Sequence, residues 1–306
     1  LFFTEKGRLY WLKVYEIPEG DKNSKGRAIQ NLIQIPQDDK VRAVIDIANL
    51  DDKEFVQQHY IVLCTSKGII KKTSLEDFSR PRSTGVNAIT IVEGDQLLAA
   101  QLTDGSSEVM LAVKSGRAIR FPEDKVRPTG RGAIGVGGIE VDDDKDEVIG
   151  MLCVSKADLE SKMILVVSEK GFGKKTSVDE YRITNRGGKG VKTISITEKT
   201  GNLVGIMTVS DDDDLMITCK SGITIRTSIE SIREAGRATQ GVKLIRLEED
   251  DAIAAISRID REEEVDETVA EAEGAGTEGE ETSTETTIDG DNPPADINDT
   301  PDTDTP

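Results

Sequence analysis

"VLCTSKGIIKKTS", residues 62–74, reads as an apolar strand, a turn closed by glycine and a second strand carrying two lysines. Alone it is an ordinary hairpin signal. It decides the fold because it recurs. The same outline appears as "FFTEKGRLYWLK" at 2–13, "MLAVKSGRAIRF" at 110–121, "LVVSEKGFGKKTS" at 165–177 and "MITCKSGITIRTS" at 216–228. The turn glycines are Gly7, Gly68, Gly116, Gly171 and Gly222, spaced 61, 48, 55 and 51 residues apart. A second glycine follows each (Gly26, Gly85, Gly135, Gly190, Gly241), after 19 residues in four cases and 17 in one. From the second unit onward it opens another alternating strand: "GVNAITI", "GVGGIEV", "GVKTISI" and "GVKLIRL". An acidic turn then leads into a further apolar strand, as in "DDKVRAVIDI", "GDQLLAAQL" and "DEVIGMLCV". Four short strands per unit of about 50 residues, with no long segment of period 3.6, describe an all-β, propeller-like ring of blades.

The repeat also removes competing motifs. Gly130-x-Gly132-x-x-Gly135 matches a dinucleotide fingerprint in letters, yet it neither follows a βαβ strand nor opens a helix. "GFGKKTS" at 171–177 ends like a phosphate-binding P-loop, but "GIIKKTS" at 68–74 is its repeat equivalent and makes it a generic turn. The runs Asp142 to Asp144 and Asp211 to Asp214 lack EF-hand spacing and read as solvated turns. The three cysteines fall in no Cys-x-x-Cys pair and the one histidine has no partners at ligand spacing, so no metal site or catalytic site is expected. No apolar run approaches the roughly 18 residues of a membrane span, and a reducing cytoplasmic setting is expected. The chain opens inside a strand pattern without methionine, which suggests a piece of a longer protein.

Net charge is −19, but its distribution matters more than its size. Residues 260–306 carry 18 acids and one base, leaving residues 1–259 at −2. Two regions follow: a β body over 1–259, and an acidic appendage over 260–306 whose composition is that of a disordered segment. Such an appendage either competes with a polyanion for the body or serves solubility. Within the body, the five stretches between first and second glycines sum to +10, so the remainder is −12. The bases recur in phase. Lys71, Lys72, Arg120, Lys174, Lys175 and Arg226 lie on the second strand; Arg80, Arg82, Arg127, Arg131, Arg182, Arg186, Arg233 and Arg237 lie on the loop after it. A ring of blades would place them on one rim, a curved positive track suited to the phosphates of bent duplex DNA. Aromatic residues are too few for the stacking platforms that single strands use. In "TNRGGKG" at 184–190, Gly187 and Gly188 are expected to expose backbone N–H groups to phosphate beside Arg186 and Lys189.

With these features the body resembles the C-terminal domain of the DNA gyrase A subunit, and the likeness extends over residues 1–259. The resemblance implies a β-pinwheel, in which neighbouring blades exchange a strand. The family's basic box, Gln-(Arg/Lys)-Arg-Gly-Gly-(Arg/Lys)-Gly, is matched at Arg186, Gly187, Gly188, Lys189 and Gly190 and departed from at Thr184 and Asn185. That stretch sits in the fourth repeat, so the family's own box is expected in a sixth blade upstream of Leu1. The resemblance further implies a non-catalytic part of an ATP-dependent topoisomerase. Its partners would be gyrase B, in an A2B2 assembly, together with the upstream part of its own polypeptide. ATP and Mg²⁺ would be held by gyrase B, with no cofactor here. The equivalent domain of topoisomerase IV, or a propeller that binds acidic proteins, is the alternative.

Overall fold

The computed structural model describes residues 1–20, 24–142, 145–248 and 250–260. Leu1–Arg261 form one compact unit. The acidic appendage expected over 260–306 lies outside the described residues, except Asp260, which ends the last strand.

Among the described residues, nineteen strands build five antiparallel sheets. The first segment supplies β1 (Phe2–Thr4), β2 (Arg8–Tyr10) and β3 (Val41–Val44); the second supplies β4 (Tyr60–Thr65), β5 (Ile69–Ser74), β6 (Val86–Asn87) and β7 (Leu97–Thr103). The third gives β8 (Glu108–Val113), β9 (Arg117–Pro122), β10 (Val136–Gly137) and β11 (Val148–Val154). The fourth gives β12 (Met163–Ser168), β13 (Phe172–Ser177), β14 (Val191–Lys192) and β15 (Leu203–Val209). The fifth gives β16 (Asp213–Cys219), β17 (Thr224–Ser228), β18 (Val242–Lys243) and β19 (Ile253–Asp260). The only α-helix among the described residues is the six-residue Lys53–Gln58, capped by Asp52.

Each of the first four blades is completed by the next segment. Their orders are β3-β1-β2-β6, β10-β5-β4-β7, β11-β8-β9-β14 and β15-β12-β13-β18, so β6, β10, β14 and β18 are all donated strands. The fifth blade, β17-β16-β19, has three strands and leaves β17 as an open edge. The strands β3, β7, β11, β15 and β19 pack side by side in sequence order and form the inner layer of the propeller-like arrangement.

The exchange explains the second glycine. Gly135 has φ +104°, and a Cβ there would stand 2.6 Å from the carbonyl oxygen of Ile70 in the blade it enters. Neither the dihedral nor the approach admits another residue. Burial follows the same logic. Along β4, Ile61 and Leu63 enter the core between the first and second blades, while Val62 and Cys64 enter the next core. Both faces of the strand are covered, which is why it reads as a continuous apolar run.

The acidic turns clamp the hairpins. The Oδ1 atom of Asp95 accepts from Lys67 N at 3.0 Å and Gln96 N at 2.8 Å; Asp39, Asp146 and Asp251 repeat the pattern on Lys6, Ser115 and Ser221. The run at Asp211 departs from expectation. Asp213 and Asp214 belong to β16 and are buried, and Asp214 accepts from Arg226 Nε at 2.7 Å. Among the described residues, no cluster of three His, Cys, Asp or Glu side chains is placed to hold a metal, and no helix is long and apolar enough to cross a membrane.

Candidate nucleic-acid interface

The charged loop begins where a second strand ends. In segments two to four that end is a short 3-10 helix, Leu75–Phe78, Glu123–Lys125 or Val178–Glu180. The Ser74 and Ser177 side chains cap two of them, accepting from Glu76 N and Asp179 N. The chain then crosses to the preceding blade, where it is pinned. Parallel bridges join Pro128 to Lys72, Ile183 to Arg120 and Glu234 to Lys175. Thr129 N, Thr184 N and Ala235 N donate to the carbonyls of those three strand residues at 2.8–2.9 Å. Arg127, Arg182 and Arg233 each stand one residue before a bridge, so a fixed backbone presents them at the same place in successive blades.

The structure sorts the expected rim bases into groups with different roles. Arg80, Arg82, Arg127, Arg182 and Arg233 are exposed, Arg131 is half-buried, and none of the six guanidinium groups has a hydrogen-bond or ion-pair partner among the described residues. Arg186 and Arg237 are anchored to backbone. Arg186 donates to Lys125 O at 3.0 Å and Gly137 O at 3.1 Å, and Arg237 donates to Lys192 O at 3.1 Å. Two more are exposed bases paired with acids: Lys189 with Asp142 at 3.1 Å and Glu140 at 3.5 Å, and Arg226 with the buried Asp214. The carboxylate of Asp142 holds the Lys189 ammonium above its ordinary pKa.

The remaining five are not on the surface. Lys71, Lys72, Arg120, Lys174 and Lys175 are 0–6% exposed, which corrects the expectation that second-strand bases line the rim. The cause is the strand exchange, since the next segment's loop and 3-10 helix lie over these side chains. Lys72 pairs with Glu123 at 3.3 Å, and Lys175 with Asp211 at 2.5 Å. Arg120 pairs with Glu108 and donates to Val178 O at 2.7 Å and Tyr181 O at 3.0 Å. Trp11 holds the same place in the first blade and donates to Phe78 O. These side chains staple each blade to the next.

Lys71 and Lys174 face carbonyl oxygens instead of carboxylates. Lys71 Nζ donates to Ala88 O at 2.5 Å and Arg131 O at 2.8 Å; Lys174 Nζ donates to Gly236 O at 2.5 Å and Thr239 Oγ1 at 3.2 Å. Burial pulls both ammonium groups down to about 8. Gly187 is a further correction, because its N–H is not free: it donates to Gly138 O at 2.7 Å. The Gly188 carbonyl accepts from Glu140 N. The glycines of this loop therefore serve the junction between blades. Arg8, at the start of β2, was not singled out from the sequence. Its guanidinium donates to Thr84 O at 2.8 Å and Tyr10 OH at 3.2 Å and faces the same loops.

Fold and site together define a strand-exchanged, propeller-like β domain with in-phase arginines on the loops between blades. The family model for the DNA gyrase C-terminal domain, a beta-propeller, matches residues 1–56, 59–104, 107–155, 162–210 and 213–260, one match per segment. The chain belongs to this family. It is 41% identical over 281 residues to the DNA gyrase A subunit of Staphylococcus aureus, covering 92% of this chain and 31% of that protein. It is 39% identical over 275 residues to the DNA gyrase A subunit of Chlamydia pneumoniae, covering 89% and 32%. The chain thus spans about a third of the length of the curated relatives it matches. A solved DNA gyrase A C-terminal domain superposes with TM-score 0.70 at 26% identity, covering 84% of this chain and 80% of that one. The C-terminal domain of DNA topoisomerase IV superposes with TM-score 0.76 at 24% identity, covering 89% and 82%, a likeness of fold.

Proposed function

We propose that this domain binds duplex DNA by its phosphates along the arginine loops and bends it around the blades. The DNA so presented would serve ATP-dependent negative supercoiling by a gyrase-type enzyme. The observation that carries the reading is the phase of Arg127, Arg182 and Arg233, each free of protein partners among the described residues and each next to a pinned backbone bridge. Unpartnered guanidinium groups repeated at blade spacing supply contacts that follow a curve, and phosphate contacts position DNA without reading its sequence. Family membership supports the assignment. In this reading the domain performs no chemistry. Strand cleavage belongs to the upstream part of the polypeptide, and ATP with Mg²⁺ to the gyrase B partner, in the cytoplasm.

Duplex binding measured against salt tests this. If the six unpartnered arginines neutralise five or six phosphates between them, log K against log salt falls with a slope of about −5, at about −0.9 per phosphate. A slope shallower than about −3 overturns the reading. Affinity that does not rise between a short duplex and one long enough to follow several blades removes the bending component.

A further inference from the structure

A cleft of about 480 Å³ opens at the junction of the first two blades and is lined by Arg8, Arg82, Arg131, Asn87 and Gly132, with no carboxylate in its wall. Its three arginines come from three consecutive segments. Arg8 is aimed by its bonds to Thr84 O and Tyr10 OH, while Arg82 and Arg131 have no partner among the described residues. The other junctions differ at the same positions. Where Arg8 stands, the second and fourth segments have Ile69 and Phe172, and the third has Arg117, paired with Asp142 at 3.0 Å. Where Arg131 stands, the next two segments have Arg186 and Arg237, both occupied by the carbonyls of the donated strands. Arg131 makes no such bond, although Asn87 offers the equivalent carbonyl.

Gly132 adds an independent observation. Its φ lies outside the left-handed region and nothing stands within 4 Å of where a Cβ would be. Neither the chain's dihedrals nor its packing call for glycine there. The missing side chain leaves the cleft open to solvent at this point. The neighbouring carbonyl is held in place, because Gly132 O accepts from Thr90 Oγ1 at 2.7 Å, and Thr90 in turn accepts from Asn87 Nδ2 at 3.2 Å.

We infer that this cleft is a discrete phosphate-binding site that seats a backbone phosphate of the duplex. The inference rests on the proposed DNA binding. Three arginines lining an acid-free opening suit a phosphodiester, which accepts several N–H bonds at once.

The test uses the full chain, R82A/R131A and G132V, with duplex binding measured between 0.1 and 0.4 M salt. Gly132→Val leaves the charge unchanged and its Cβ has no protein atom within 4 Å, so it narrows the cleft without removing an arginine. Both variants should lower the salt slope by about one and weaken binding roughly eightfold at 0.1 M, the loss of one counterion-releasing contact. Combining them should add nothing further. If G132V binds like the parent while R82A/R131A is weakened, the arginines act only through a diffuse field and the site is overturned. A shallow slope in the parent itself overturns the DNA reading instead. Titrating pyrophosphate without DNA separates a free phosphate from a backbone one. Saturable sub-millimolar binding abolished by G132V would overturn assignment to the duplex.

Discussion

The division between stapling and contacting bases makes Arg120→Met the sharpest test of the site. The Arg120 guanidinium is 6% exposed, pairs with Glu108 and donates to Val178 O and Tyr181 O. Methionine fills much of the same volume but leaves a carboxylate, itself 14% exposed, without its counter-charge, and strips two carbonyls of their donor. Breaking a buried pair from one side costs about 3–5 kcal/mol. In a body of this size each kcal/mol moves Tm by about 2–4 °C, so thermal unfolding should occur roughly 6–20 °C lower. The double variant R120M/E108M should recover much of the loss, because replacing both members with apolar groups removes the stranded charge. DNA binding well below the transition should keep its salt slope. The mirror experiment is R182A/R233A, where both side chains are exposed and unpartnered. Its Tm should stay within about 1–2 °C, while its slope should lose about two units. An R120M protein of unchanged Tm whose salt slope falls by one unit would refute the division, since Arg120 would then be a phosphate ligand.

Two further outcomes follow from the same geometry. Lys71 and Lys174 titrate near 8 when folded and near 10.5 when unfolded, so between these values the unfolded chain binds more protons and stability rises with pH. A neutral amine still has two N–H groups for its two acceptors, so deprotonation relieves the buried charge without breaking the contacts; urea unfolding from pH 8 to 10 should show the parent gaining stability relative to K71M/K174M, and parallel curves would refute it. Gly190→Ala should cost at least about 1–2 kcal/mol for the left-handed residue alone, more because its Cβ would lie 2.4 Å from Ala118 O, whereas Gly130→Ala should stay within about 0.5 kcal/mol, its Cβ meeting nothing within 4 Å; equal losses in denaturant midpoint would contradict the strand-exchange explanation of the second glycine.

Repeats and turn chemistry made the architecture legible. Gly68 and its equivalents fix five hairpins, and Gly85, Gly135, Gly190 and Gly241 mark where each segment enters the previous blade. The charge of the loops was equally visible, and Arg127, Arg182 and Arg233 stand exposed at the same place in successive blades. What charge counting could not separate was a base in water from a base under a neighbouring segment, because the covering comes from residues about 50 to 60 positions later in the chain. Lys71 and Arg131 are 60 apart, and Arg120 and Tyr181 are 61 apart. One cue was available. The position of Lys71 and Lys174 is Tyr10, Ile119 and Ile225 in the other segments, and a position filled by tyrosine and isoleucine in three of five repeats is an interior one. The clamping role of the acidic turns was hidden for a similar reason. Asp39, Asp95, Asp146 and Asp251 look solvated in sequence, yet each spends a carboxylate oxygen on the backbone of a hairpin thirty or so residues earlier.

The two populations of bases depend on one another. Phosphate contacts along a curve favour bent DNA only if the protein resists straightening, since smoothly bending 20–30 base pairs through 40–90° costs on the order of 1–6 kcal/mol. A row of arginines on loosely joined blades would splay to meet straight DNA and avoid that cost. Here every junction among the first four blades carries a donated strand, a parallel bridge or a stapling side chain: Trp11 on Phe78, Lys72 on Glu123, Arg120 on Val178 and Tyr181. The buried bases thus set the curvature along which the exposed ones are presented. The charges of Arg120, Lys72 and Lys175 are neutralised by Glu108, Glu123 and Asp211, so under the proposed function these three would add little to the field that DNA meets while fixing the geometry to which it would conform.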